Sequence, residues 1–108
     1  MAIEEYPPVL GRPVELTDDR RAHILKRHPT VAPFLERIRD VLALPEEVRR
    51  SSYDPKVLLF SRFYPDILEG KHLVVVVKID GRAFILTVYI TRRLVGGQPH
   101  EGKHSVLV

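Results

Sequence analysis

The sequence predicts an α+β domain, two N-terminal helices packed on one face of a four-stranded antiparallel sheet. Three observations carry this. Apolar residues recur at helical spacing over 31–42, the period changes to two beyond Pro45, and Asp80-Gly81 separates two strongly apolar runs.

Residues 1–15 hold Pro7-Pro8 and Gly11-Arg12-Pro13, through which no helix continues, so they read as an extended lead-in. Thr17 then stands as an N-cap, with Asp18 and Asp19 complementing the helix dipole in the first turn. This helix runs to about His28 and stops before Pro29. Thr30 caps a second helix, along which Val31, Phe34, Leu35, Ile38, Val41 and Leu42 form one apolar stripe. Pro33 is tolerable near its start, and Pro45 ends it.

Glu47–Ser52 reads as a weak strand, Tyr53-Asp54-Pro55-Lys56 as a turn, and Val57–Tyr64 as a second strand. Pro65–Gly70 is a loop. His72–Ile79 and Arg82–Thr91 are the strong strands, joined by a two-residue hairpin turn at Asp80-Gly81. That turn would pair Ile79 with Arg82, Val77 with Phe84, Val75 with Leu86 and Leu73 with Val88 on the helix-covered face. The opposite face would pair Lys78 with Ala83, Val76 with Ile85, Val74 with Thr87 and His72 with Tyr89, with Thr91 just beyond. An imidazole and three hydroxyls thus gather at one end of an open face. The tail from Gly96 is polar and glycine-rich, and is expected to be mobile.

A chain of 108 residues with 44% hydrophobic content makes one domain over 1–108, with its core at 16–95. The absence of cysteine excludes disulfide scaffolds, thiolate zinc sites and cysteine nucleophiles. The longest apolar run, Leu73–Val77, is far too short to span a bilayer, and residues 1–5 lack a signal-peptide pattern. A cytoplasmic protein with no membrane partner is the expectation. Net charge is +3, and residues 56–108 carry eight Lys/Arg against four Asp/Glu. That excess suits a polyanion such as RNA.

Arg20, His23 and Arg27 fall on one stripe of the first helix, where arginines can hold a phosphate beside a histidine able to move a proton. His28 lies nearer Ile24 and Leu25 and reads as a helix-terminating residue. No zinc-ligand helix, phosphate-cradling glycine loop or serine elbow is present, so neither metal nor cofactor is expected.

These residues also form a familiar ordered set. It comprises Leu16-Thr17, His23-Ile24, Arg27-His28-Pro29, Ser52-x-Asp54-Pro55, Arg62, Lys71-x-Leu73 through Lys78, and Phe84-Ile85-x-Thr87-x-Tyr89-x-Thr91. Over residues 14–95 the set resembles the small phage and bacterial domains of the barnase–EndoU–colicin–RelE nuclease group. The resemblance implies a toxin-type, metal-independent ribonuclease with its site on the open sheet face and RNA as partner. It makes His23 the acid or base and has Arg27 and Arg62 hold the phosphate, with Lys71 or Lys78 assisting. Thr87, Tyr89 and Thr91 would bind or orient substrate, with His72 beside them. A cognate inhibitor protein would be a second partner. The motif positions on that face lack a carboxylate. This favours two alternatives, a catalytically inactive RNA- or protein-binding module and a small structural or regulatory oligomer joined through a strand edge.

Overall fold

The computed structural model describes residues 3–9, 12–94 and 98–99. Thr17 caps the first helix as expected, its hydroxyl accepting from the Arg20 amide at 3.1 Å, and α1 (Asp18–Arg27) follows. His28, rather than Thr30, precedes the next helical segment, a 3-10 helix at Pro29–Arg37 that passes into α2 (Ile38–Ala43). Pro29 and Pro33 each lack an amide hydrogen, and the α-helical ladder is established only beyond them. The apolar stripe is nonetheless seated as its spacing implies. Val31, Leu35, Ile38, Val41 and Leu42 are buried, with Phe34 packed partly against them.

The expected antiparallel sheet is present as β3 (Glu47–Arg50), β4 (Val57–Tyr64), β5 (Lys71–Asp80) and β6 (Arg82–Thr91). It is part of a larger one. The lead-in is itself a hairpin, β1 (Ile3–Val9) and β2 (Arg12–Thr17), and β2 runs parallel to β6 through Val14↔Ala83 and Glu15↔Phe84. The sheet is therefore mixed, with six strands of four or more residues, rather than four antiparallel ones. Prolines hid the hairpin. Pro7 and Pro8 lie in an edge strand, where a missing donor is tolerated, and register slips between Tyr6 and Val9 around them. A two-residue strand, β7 (Gln98–Pro99), pairs with β3 at the far edge, within the segment expected to be mobile. The rest of that tail lies outside the described residues.

The β5–β6 hairpin differs from the expected register. Asp80 pairs with Arg82, leaving Gly81 alone in the turn at φ +76°, so every pairing moves by one residue. A bulge between Val76 and Val77 then moves the register by one more. Ala83 and Ile85, not Arg82 and Phe84, consequently join the helix-side core, and Leu86 packs on the opposite face. Beyond the bulge the two shifts together restore the expected facing. Val76 pairs with Thr87, Val74 with Tyr89 and His72 with Thr91, all on the side away from the helices.

The core lies between that helix side and α1, the 3-10 helix and α2. Ile24, Val31, Ile38 and Val41 meet Leu73, Val75, Val77 and Val88, all fully buried. Burial of this kind contributes roughly 1.5–3 kcal/mol per large apolar side chain. A smaller cluster on the outer face joins Val57, Val74 and Val76 to Leu59, Leu86, Tyr89 and Leu94.

Candidate nucleic-acid site on the outer sheet face

Strand register determines which side chains share the outer face. Across β3–β4–β5–β6 one row reads Glu47, Ser61, Val74, Tyr89, and the next reads Arg49, Leu59, Val76, Thr87. At the end where β4 stops and β5 starts, a shorter row reads Phe63, His72, Thr91. Helix α1 follows β2 and brings its C-terminus to this end, where the His28 and Tyr89 rings lie 6.0 Å apart.

The outer face thus holds a carboxylate after all. Glu47 sits two residues from Arg49 on the same side of β3, and Arg49 Nη2 donates to Glu47 Oε2 at 3.2 Å. The pair is well removed from water, Arg49 being only 3% exposed, and Ser61 beside it is equally buried. Tyr89 lies at the other side of the same row. Burial pushes its phenol above the ordinary tyrosine value, and the Arg49 charge pulls in the opposite direction.

The expected site residues divide into three groups. His72, Thr87, Tyr89 and Thr91 share the outer face, with Phe63 edge-on to His72 at 5.2 Å and 68°. His72 Nδ1 is buried without a hydrogen-bond partner among the described residues, whereas the Thr91 hydroxyl is committed to the Arg93 backbone. Arg27, in the last turn of α1, is exposed next to His28 at the same end.

Arg62 and Lys71 are at this end but not on this face. Arg62 is paired with Leu73 on the helix side, and its Nη1 donates to the Leu44 carbonyl at 2.8 Å. Lys71 Nζ donates to the Leu68 carbonyl at 2.6 Å. Two residues lie elsewhere. Lys78 is near the hairpin end, 3.1 Å from the Asp54 carboxylate, whose pKa is lowered chiefly by the Lys56 amide and then by Lys78 itself. His23 is exposed about a turn and a half before His28, in a shallow depression with Thr17, Asp19 and Arg20.

A cavity of about 260 Å³ lies farther along the β2–β6 edge, lined by Glu15, Thr17, Arg20, Asp80, Arg82 and Phe84. Three of its four charged groups are paired, Arg82 with Glu15 within the cavity and Asp80 with Lys56 outside it. Among the described residues, no three His, Asp or Glu side chains converge as metal ligands would. No helix among them is long and apolar enough to cross a membrane.

Sequence reasoning missed Glu47, Arg49, Ser61 and Phe63. The alternation Glu47-Val48-Arg49 carried a signal, because a buried Val48 turns both neighbours outward. No family model, curated protein or solved structure matches the chain.

Chemically, the face combines a carboxylate able to accept a proton, imidazoles able to give or take one, and a guanidinium suited to phosphate oxygens.

Proposed function

We propose that this chain is a ribonuclease-like domain that cleaves RNA at the outer face of its sheet without a cofactor. The observation that carries the reading is the gathering of His72, Thr91 and Tyr89 at one end of one sheet face, where His28 adjoins Tyr89 and the exposed Arg27 ends α1. The resemblance to the barnase–EndoU–colicin–RelE group supports the same chemistry, with histidines in place of the carboxylate that its motif positions lack; Glu47 is on this face but three strands from Tyr89.

In this reaction the ribose 2′-oxygen forms a bond to the adjacent phosphorus as the bond from phosphorus to the 5′-oxygen breaks. The products are a 2′,3′-cyclic phosphate and a free 5′-hydroxyl. His72, in the row next to Tyr89, takes the 2′ proton, and His28, the histidine adjoining Tyr89, returns one to the leaving oxygen. Arg27, exposed at the end of α1, stabilises charge on the phosphate, and Tyr89 orients it, while the nearly buried Arg49 is held by Glu47. His23 on the α1 surface and Arg62 and Lys71 off this face would meet RNA beyond the reacting phosphate and take no part in the step itself.

A second reading, an RNA-binding module without cleavage, draws on the near-complete burial of Arg49 and Ser61, which suits a structural ion pair. One assay distinguishes them. Purified protein is incubated with mixed RNA with and without EDTA, beside His72→Ala, His28→Ala and His23→Ala. Cleavage that survives EDTA, falls by about 10²-fold or more in His72→Ala and His28→Ala, and changes far less in His23→Ala is the expected result. RNA retarded on a gel but left intact supports the binding module, and neither retention nor cleavage overturns both.

A further inference from the structure

We infer that Phe63 is a stacking platform for an unpaired nucleobase, which makes single-stranded RNA the substrate class of the site; this rests on the ribonuclease reading above. Phe63 is 41% exposed on the outer face, in the row of His72 and Thr91, next to the row holding Glu47 and Tyr89. A large aromatic ring left in water on a sheet needs a reason, and base stacking on strand aromatics is a recurrent one.

The ring is also held in place. His72 meets it edge-on, and the backbone amide of Phe63 donates to Glu46 Oε1 at 3.0 Å. Gly70 abuts it, and a Cβ there would lie 3.0 Å from Phe63 Cζ. The loop that brings Gly70 so close runs through three consecutive positive-φ residues, Leu68 at 45°, Glu69 at 68° and Gly70 at 105°. Two of them are not glycine, and such strain persists where the surroundings impose it, often at ligand sites. A pre-positioned ring loses little freedom when a base stacks on it.

Charge and size favour a nucleotide over a protein. Lys26 and Arg27 end α1, Arg92 and Arg93 follow β6 at the same end of the sheet, and all four are exposed. None of the four is in an ion pair among the described residues; of the nearby acids, Glu46 is bound to the Phe63 amide, Glu47 is paired with Arg49 and Asp66 with Arg37, and Glu69 lies in the Gly70 loop. Exposed apolar residues at this end are Leu44, Phe63 and Leu68. A stable protein interface buries about 800 Å² per partner, far more than three partly exposed side chains offer. One base with its phosphates fits both the ring and the cations.

The test uses a fluorescent, mixed-sequence RNA of roughly ten nucleotides, a length within the usual span of single-strand sites. It is 2′-O-methylated to block cleavage, and is offered both as a single strand and as a blunt duplex. The wild type is expected to bind the single strand more tightly. Phe63→Ala and Phe63→Leu should weaken that binding roughly tenfold or more while leaving duplex binding unchanged, and Phe63→Tyr should retain it. Phe63→Leu keeps apolar bulk against Gly70 and His72, so its effect reports the π face and not the fold. Equal affinity for the two forms, or unaltered binding by Phe63→Leu, overturns the inference while cleavage of unmodified RNA by the wild type leaves the ribonuclease reading standing. A wild type that neither binds nor cleaves overturns both.

Discussion

Glu47 and Arg49 bond across a boundary between protein and water, and the two ends of that bond are unequally placed. The Arg49 side chain is 4% exposed and that of Glu47 15%. Glu47→Ala would leave a guanidinium buried with one counter-charge fewer, which is expected to lower the unfolding free energy by about 3 kcal/mol. Arg49→Met removes the buried charge itself and should cost clearly less. Urea unfolding of both variants checks the order, and an equal loss would show that the pair does not behave as a buried one. Tyr89 supplies a pH-dependent counterpart. Its folded pKa is raised by burial, so the fold favours the neutral phenol. That contribution is complete below the unfolded value of about 10 and is lost as pH rises from there through the folded value. Stability measured at increasing alkaline pH should therefore fall less steeply in Tyr89→Phe than in wild type. At this scale the sequence disclosed half of the site. The alternating Thr87, Tyr89 and Thr91 could be placed on one face from a single hairpin. For Glu47 and Arg49 the only signal was the apolar Val48 between them, and an alternation that short leaves their facing to the pairing of β3 with β4.

Two glycines show how turns set the elements around the site. Gly81, at φ +76°, has nothing within 4 Å of an added Cβ, so Gly81→Ala should cost about 1 kcal/mol from backbone strain alone. Gly70, at φ +105°, has that same strain and a Phe63 ring atom 3.0 Å from the added Cβ. Gly70→Ala should cost more, about 2 kcal/mol, and should also shift the ring resonances of Phe63 and His72 while Gly81→Ala leaves them in place. Equal costs and unmoved rings would mean that Gly70 does not position Phe63. The same elements mark where pattern reading succeeds. Helix α1 was legible because Thr17, Asp18, Asp19 and Pro29 punctuate it, and the apolar stripe over 31–42 was legible although Pro33 makes its first half a 3-10 helix. The hairpin was legible in position but not in register. A one-residue turn and a bulge at Val76/Val77 are backbone events that residue types barely signal, and each moves every later pairing. They offset one another for residues 87–91, which is why the outer-face hydroxyls were placed correctly from incorrect partners.

Across the whole molecule, charge and topology act together. The β1–β2 hairpin was obscured by its prolines, yet it extends the sheet through two parallel residue pairs between β2 and β6 and leads directly into α1. That connection directs the C-terminus of α1, with Lys26 and Arg27, towards the end of the sheet where β6 delivers Arg92 and Arg93. A net charge of only +3 would predict modest polyanion binding if it were spread evenly. Gathered at one end, the same charge would make several phosphate contacts at once on a bound strand, each releasing counterions from the nucleic acid. For a single strand the logarithm of affinity then falls with the logarithm of salt by about 0.7 per phosphate neutralised. If Arg92 and Arg93 each meet a phosphate, Arg92→Ala/Arg93→Ala should reduce the magnitude of that slope by roughly 1.4. A control at the opposite end of the sheet, Lys56→Ala, should leave it unaltered, because Lys56 is paired with Asp80 near the hairpin. Binding of the 2′-O-methylated strand measured over a series of salt concentrations reads both slopes. A double variant with the wild-type slope would remove Arg92 and Arg93 from the RNA path and confine the phosphate contacts to α1 and the sheet.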